Sequence, residues 1–295
     1  MDIRQLNCFI SVAKYLNFTR AAEECYIAQT SMTHQIAALE SELGVQLFER
    51  NNRSVRLTPQ GELFLKEART IVERAKQAVH LVRNSMEEGT SSLNVGFSGR
   101  ILWKQLPVLL KKCRQEQPNL MINLRHEDLG LLIEMLENDV IDCFLSMNFA
   151  FLNTFGWLKK QVVLEDEVWV VIPKDNPLAA FDNVSPKQLE KEPFIVFEER
   201  GVSEKYTNFA TMSAPLNIRT RADSPELTEC LVNSGYGLTF CMRCMADKGN
   251  PFVSFVRIIP PLPKEQIVVC YKGTNEKAGL QDFLIRLRMF SSDIQ

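Results

Sequence analysis

Apolar positions organise the chain before any motif is named. Over residues 1–16, Leu6, Phe9, Ile10 and Ala13 fall on one helical face. Residues 17–25 read as a second, short helix; Thr19 can cap it, and Ala21 and Ala22 let a neighbouring helix cross closely. After the connector 26–28, residues 29–43 carry Met32, Ile36, Leu39 and Leu43 at spacings of four, three and four, again one face. Gly44 stops that helix. Val45, Leu47 and Phe48 then form an apolar anchor, and the stretch up to Arg56 reads as a hairpin-like wing. Pro59 opens a long element at a favoured first helical position. Phe64, Ala68, Ile71, Ala75, Ala78 and Val82 recur at alternating spacings of four and three, a seam along a single helix. That helix has about 28 residues and is roughly 40 Å long. It cannot bury such a seam alone, so a second chain is expected against it. Residues 88–92 end it as a flexible hinge.

From residue 93 the period changes. Strands at 93–97, 120–125 and 142–146 alternate with helices at 101–115 and 128–137, an order that predicts a parallel α/β sheet. Further strands are expected at 167–173, 194–197, 218–222 and 266–271. A helix opens at Ser224-Pro225-Glu226 and ends at Asn233, Gly235 and Gly237 lead into another strand, and a last helix covers 276–290.

At 295 residues the chain exceeds one ordinary domain, and 45% apolar residues can fill real cores. It has no run of 18 apolar residues, so no membrane span is expected. Met1-Asp2-Ile3-Arg4 starts directly into structure without a signal peptide, which predicts a cytoplasmic protein. The net charge of −2 gives no hint of nucleic acid, and residues 1–90 balance 11 basic against 11 acidic side chains. What points to DNA is where the charges lie. The outer face of 29–43 presents Gln29, Thr30, Ser31, Thr33, His34 and Gln35, with no acid before Glu40. Such short, donor-rich side chains suit base edges and phosphates in a major groove. Arg20 joins this set. Arg50, Arg53 and Arg56 give the wing a charge of +3, suited to phosphates or a minor groove. Glu23, Glu24, Glu40 and Glu42 would have to face away from the duplex.

Ala21-Ala22, Ser31-Met32-Thr33-His34-Gln35-Ile36, Leu39-Glu40, Leu43-Gly44, Leu47-Phe48-Glu49-Arg50 and Leu57-Thr58-Pro59-Gln60-Gly61 follow one another at fixed spacings. In this the chain resembles the N-terminal pattern of LysR-type transcriptional regulators. Ala28 stands where that family usually has a capping Ser, and Thr30 where Pro is frequent. Val95-Gly96, Leu106-Pro107, Pro118, Asp142, the 173–179 segment, and Leu231-Val232 with Gly235 and Gly237 resemble the family's effector-binding domain. There Asn176 replaces a more usual His, and Cys241-Met242 stands where Leu-Pro is common. The resemblance covers nearly the whole chain. It implies an N-terminal all-α winged helix-turn-helix domain with a long linker helix, then a C-terminal α/β domain of two periplasmic-binding-protein-like lobes. The implied divisions are residues 1–58 for DNA binding, 59–90 for the linker and dimerisation helix with its hinge, and 91–295 for effector binding. Lobe 1 would comprise 91–163 and 265–295, and lobe 2 would comprise 164–264. Implied partners are a double-stranded DNA operator, a small-molecule effector, RNA polymerase, and further copies of the chain in a homodimer or homotetramer.

Ligands of such sheets sit at the carboxyl ends of strands, beside helix N-termini. This nominates Ser98, Gly99 and Arg100 after the first strand and Ser146, Met147 and Asn148 after the third. The second lobe adds Glu198, Val202, Ser203 and Ser224, while Asp223 reads better as fixing a helix start. Arg100 could hold a carboxylate in a charge-assisted pair. Enzyme motifs are missing: His34, His80 and His126 lie in no strand-end loop beside a Ser or Cys, and there is no G-x-S-x-G, H-E-x-x-H or G-x-x-x-x-G-K-[ST]. No catalysis, cofactor or metal is therefore expected. The eight cysteines mostly sit among apolar neighbours, as reduced core residues do. Cys241-Met242-Arg243-Cys244 is the one C-x-x-C and lacks a second pair or a nearby His for zinc. The expected function is DNA-binding transcriptional regulation gated by a small molecule between the lobes. The alternative is a redox-sensing regulator switched by a thiol such as Cys244. Against it, no cysteine lies between Cys143 and Cys230, where the peroxide-sensor pattern of that family would put two.

Overall fold

The structure, a computed structural model, describes residues 1–51, 54–84, 91–198 and 216–294. The chain divides into two compact units, Met1–Glu88 and Gly89–Gln295.

In the first unit, α1 (Ile3–Tyr15), α2 (Phe18–Glu24) and α3 (Gln29–Leu43) precede an antiparallel hairpin of β1 (Phe48–Asn51) and β2 (Ser54–Leu57), and α4 (Pro59–Asn84) follows. Thr19 does not cap α2. Asn17 does, its extended backbone setting Oδ1 against the amides of Thr19 and Arg20 one residue before the helix begins. α3 starts at Gln29 with Ala28 in the cap position and no side-chain cap, and Gly44 ends it in the left-handed conformation at φ 70°. The core is aromatic. Phe9 lies 5.4 Å from Phe48 and 5.2 Å from Phe64, and Phe18 lies 5.9 Å from Phe48.

That core splits the α4 seam. Phe64 packs against it, and Ala68 and Val72 are buried within it. These first-half positions are thus not free for a second chain, because Phe9 and its neighbours on the other helices already cover them. Further along, Ile71 is 37% exposed, Ala75 is half-buried and Ala78 is exposed. The side chain of Val82 and residues 85–88 lie outside the described residues.

The second unit begins with β3 (Ser91–Phe97), α5 (Leu106–Glu116), β4 (Leu120–His126), α6 (Leu129–Glu137), β5 (Cys143–Met147) and β6 (Leu158–Asp166). It continues with β7 (Val168–Pro173), β8 (Asn183–Val184), α7 (Pro186–Leu189), β9 (Pro193–Phe197), β10 (Asn217–Ala222) and α8 (Pro225–Asn233). β11 (Thr239–Met242), β12 (Val253–Ile258), β13 (Glu265–Lys272) and α9 (Ala278–Ile294) complete it.

Two sheets make two lobes. The first has the order β4-β3-β5-β13-β6. β3 runs parallel to β4 and β5, but β13 is antiparallel to both β5 and β6, so the sheet is mixed rather than wholly parallel. α5 and α9 cover one face around Val95, Cys143, Leu145 and Val269, and α6 covers the other around Phe144, Val268 and Cys270. The second sheet has the order β11-β7-β12-β8, and β9, paired in parallel with β10, reaches it through the Phe194–Leu238 bridge. β6 and β12 are strands that the apolar pattern did not announce. The helix expected from 101 starts only at Leu106, since buried Leu102 takes a left-handed turn at φ 54° and Pro107 fits the first helical turn. β6 stays paired to β13 as far as Asp166, past the expected lobe boundary at 163. The chain crosses into the second sheet through Glu167 alone and returns between Ile258 and Glu265.

Candidate functional site

Two places carry chemistry, one in each unit. In the first unit, Arg20, Gln29, Thr30, Ser31 and His34 are exposed, while Thr33 and Gln35 are half-buried along the same helix. The Thr33 hydroxyl donates back to the Gln29 backbone carbonyl at 3.0 Å and accepts from the Gln29 side-chain Nε2 at 3.2 Å. Without a capping side chain at Ala28, the first-turn amides of α3 keep their donor capacity for an outside acceptor. Tyr26, in the left-handed turn before α3, is 95% exposed; the apolar pattern passed over it. Arg56 is exposed on β2. Arg50 sits on β1 with its side chain outside the described residues, and Arg53 lies outside them altogether.

Of the four acids expected to avoid DNA, three are bonded within this unit, and Glu23 is exposed. Glu24 accepts from Lys14 at 2.7 Å and Ser11 at 2.6 Å, and the Lys14 and Ser11 bonds hold its carboxyl below the usual range. Glu42 pairs with the amino group of Met1. Glu40 accepts from the backbone amides of Leu47 at 2.9 Å and Phe48 at 3.1 Å. The outer face of α3 is left with donors of hydrogen bonds and no carboxylate ahead of Glu40.

In the second unit, the loop after β3 meets α8 across the lobes. Gly99 turns at φ 56°, and a Cβ on it would stand 3.8 Å from Pro225 at the start of α8. Arg100 pairs with Glu229 of α8. Lys104 reaches Asp247 and the Ala246 carbonyl, each at 3.0 Å, and Gln105 donates to the Cys244 carbonyl at 3.0 Å. The Lys104 bond holds the Asp247 carboxyl below its usual range. Ser224 belongs to the same junction but is occupied as the cap of α8, accepting from Leu227 at 3.1 Å. The fold thus brings Gly99 and Arg100 to the start of α8, beside Ser224.

Other candidates are placed differently. Ser98 and Ser146 are 1% and 0% exposed, not open rim residues, because β3 and β5 lie inside a sheet covered on both faces. Ser146 donates to the Met147 carbonyl at 2.7 Å, and Met147 is half-buried. Asn148 bridges Lys160 at 2.7 Å and Gln266 at 2.8 Å. Glu198 lies 3.9 Å from Arg221, and Val202 and Ser203 lie outside the described residues. Sequence patterns missed Glu229, Lys104 and Gln105. They also missed Asp166, 3% exposed at the crossing, which accepts from Arg243 and from the Cys244 amide, both at 2.8 Å. The thiols of Cys241 and Cys244 are pushed up to about 12, chiefly by burial, so both stay protonated and poorly nucleophilic near neutrality.

Residues 3–62 match the family described as bacterial regulatory helix-turn-helix protein, lysR family, and residues 87–290 match the LysR substrate binding domain. The chain is 30% identical over 288 residues to the Hca operon transcriptional activator HcaR of Escherichia coli (strain K12), covering 96% of each. It is 24% identical to the hydrogen peroxide-inducible genes activator of Haemophilus influenzae, covering 92% of this chain and 91% of that one. Among solved structures, CbnR, a LysR family transcriptional regulator, superposes with a TM-score of 0.77 at 22% identity, covering 99% of both chains. CbnR in complex with its target DNA gives 0.72 at 22% identity, over 98% of this chain and all of that one. Among the described residues, no helix is long and apolar enough to cross a membrane.

Proposed function

The chain belongs to the LysR family of transcriptional regulators, and from that premise we propose which residues do its work. Gln29, Thr30, Ser31, Thr33, His34 and Gln35 read base edges in the major groove, and Arg20, Arg50 and Arg53 hold phosphates. The observation that carries this assignment is the outer face of α3, exposed and rich in donors while Glu24, Glu40 and Glu42 are bonded elsewhere. Residues 1–58 form the DNA-binding head and 59–90 the linker, with Ile71, Ala75, Ala78 and Val82 left for pairing two chains into a dimer or tetramer. Residues 91–295 take a small-molecule effector where the Ser98–Arg100 loop faces Ser224.

An effector that favours one arrangement of the lobes shifts their populations and, through them, operator affinity. The protein acts in the cytoplasm and catalyses nothing; its named relatives are regulators, which supports this. A switch at Cys241 or Cys244 is disfavoured by their raised pKa values. Selection from a random DNA pool should enrich a pseudo-palindromic operator, and a thermal-shift screen of metabolites should find the effector. A pool that stays random would refute the assignment of α3.

A further inference from the structure

We propose that Glu40 is a positioning residue for DNA recognition, one that fixes the wing relative to the reading helix. The inference rests on the assignment of α3 and the wing to DNA. One carboxylate oxygen, Oε1, accepts both the Leu47 and the Phe48 amides, at 2.9 and 3.1 Å. Those residues are fully buried, at 0% and 1% exposure, so an amide there without an acceptor is costly. Glu40 supplies the acceptor from α3.

The same stretch is held from the other side by Thr58, at the start of α4. The Thr58 amide donates to the Leu47 carbonyl at 3.0 Å, and the Thr58 hydroxyl donates to the Gln46 carbonyl at 2.8 Å. That hydroxyl also accepts from Gly61 at 2.9 Å. A Cβ on Gly61 would lie 2.1 Å from the Leu47 oxygen, so only glycine allows α4 to approach this closely. The base of the wing is therefore clamped between the helix that reads and the helix that links. From Phe48 the hairpin register carries that fixed base outward to Asn51 and Ser54. A strand rises about 3.3 Å per residue, so Asn51 stands about 10 Å from Phe48, and a tilt of about 10° at the base moves it by roughly 2 Å. Such a shift breaks a hydrogen bond to a phosphate.

The two amides need an acceptor oxygen at the right reach, which a neutral side chain can also supply. Gln keeps an oxygen at that distance; Asp keeps the charge on an arm one methylene shorter. Glu40→Gln and Glu40→Asp should be made in the full-length protein. Each is titrated with the operator selected for the parent and with random-sequence duplex, from about 50 to about 200 mM salt. Glu40→Gln should bind within about threefold of the parent with the same salt slope. Glu40→Asp should bind roughly tenfold more weakly and lower the slope by about one for each phosphate the wing no longer holds, while selecting the same bases. Amide exchange at Leu47 and Phe48, measured without DNA, should rise in Glu40→Asp only. Parental slope and exchange in Glu40→Asp would overturn the role. So would a Glu40→Gln variant as weak as Glu40→Asp, which would make charge the operative property. A parent that selects no sequence overturns the DNA interface itself, and the role of Glu40 with it.

Discussion

The two units hold their recognition residues in opposite conditions. On the head, Gln29, Thr30, Ser31 and His34 stand exposed on a convex helix face, and Glu24, Glu40 and Glu42 are bonded elsewhere. At the junction of the lobes, Arg100 is paired with Glu229, Lys104 with Asp247, and Ser224 caps α8. Under the proposed assignments, the DNA surface is ready as it stands, whereas the effector site is closed upon itself. A ligand there has to replace contacts between the lobes, so it binds an opened arrangement more tightly than the closed one. That difference in affinity is what regulation requires, since equal binding to both shifts nothing.

The largest expected effects separate the two halves of α4. Ala68→Asp puts an unpaired carboxylate into the head's core, several kcal/mol unfavourable, and thermal melting should show the head unfolded. Ile71→Asp, on the exposed half, should leave the head folded but give monomers in sedimentation and abolish operator binding. A parental oligomer in Ile71→Asp would remove that half of α4 from assembly.

Alkaline pH should weaken the lobes more than the head. Burial pushes Cys8 in the head up to about 11, and Cys241, Cys244 and Cys270 up to about 12, from an ordinary 9.0. A raised folded pKa gives stability that is complete below the unfolded value near 9 and lost as pH rises through the folded one. The head should decline between about pH 9 and 11, and the lobes, where Cys113 and Cys143 are raised as well, from about 9 to 12 and above. Denaturant titrations in that window that showed the head losing more would contradict the burial assigned to these thiols.

A smaller effect is the loss of gating. Arg100→Ala should remove the effector's change in operator affinity, a coupling of about 1–3 kcal/mol. A full response in that variant would move the sensing site away from the junction. Smallest is Glu229→Gln, which frees Arg100 from an exposed ion pair. A carboxylate effector should then bind tighter by about 0.2–1 kcal/mol in calorimetry, and weaker binding would mean that Glu229 contacts the effector itself.

The same contrast explains what the sequence made legible. The helices and wing of the head follow from local spacing, and outward residues on a helix are known once its inner face is known. The acids were expected to avoid DNA, but not where they would go, because Glu40 meets Leu47 and Phe48 only after the chain turns. The junction was half visible: strand-end loops nominated Ser98–Arg100 and Ser224. Their partners were not, since Arg100 and Glu229 lie 129 residues apart and no local pattern links them. β6 escaped notice because it is an edge strand that carries Lys159, Lys160 and Gln161 without clean alternation. β12 interrupts alternation too, with Val253, Val256 and Ile258 buried.

The central claim is that the exposed face of α3 reads sequence. Binding-site selection with the parent and with Gln29→Ala, at one salt concentration, tests it most directly. The parent should enrich a pseudo-palindrome, and the variant should keep the half-site spacing while relaxing one base position per half-site, worth about 1–3 kcal/mol. A variant that selects the parent's sequence with undiminished preference at every position would contradict the claim.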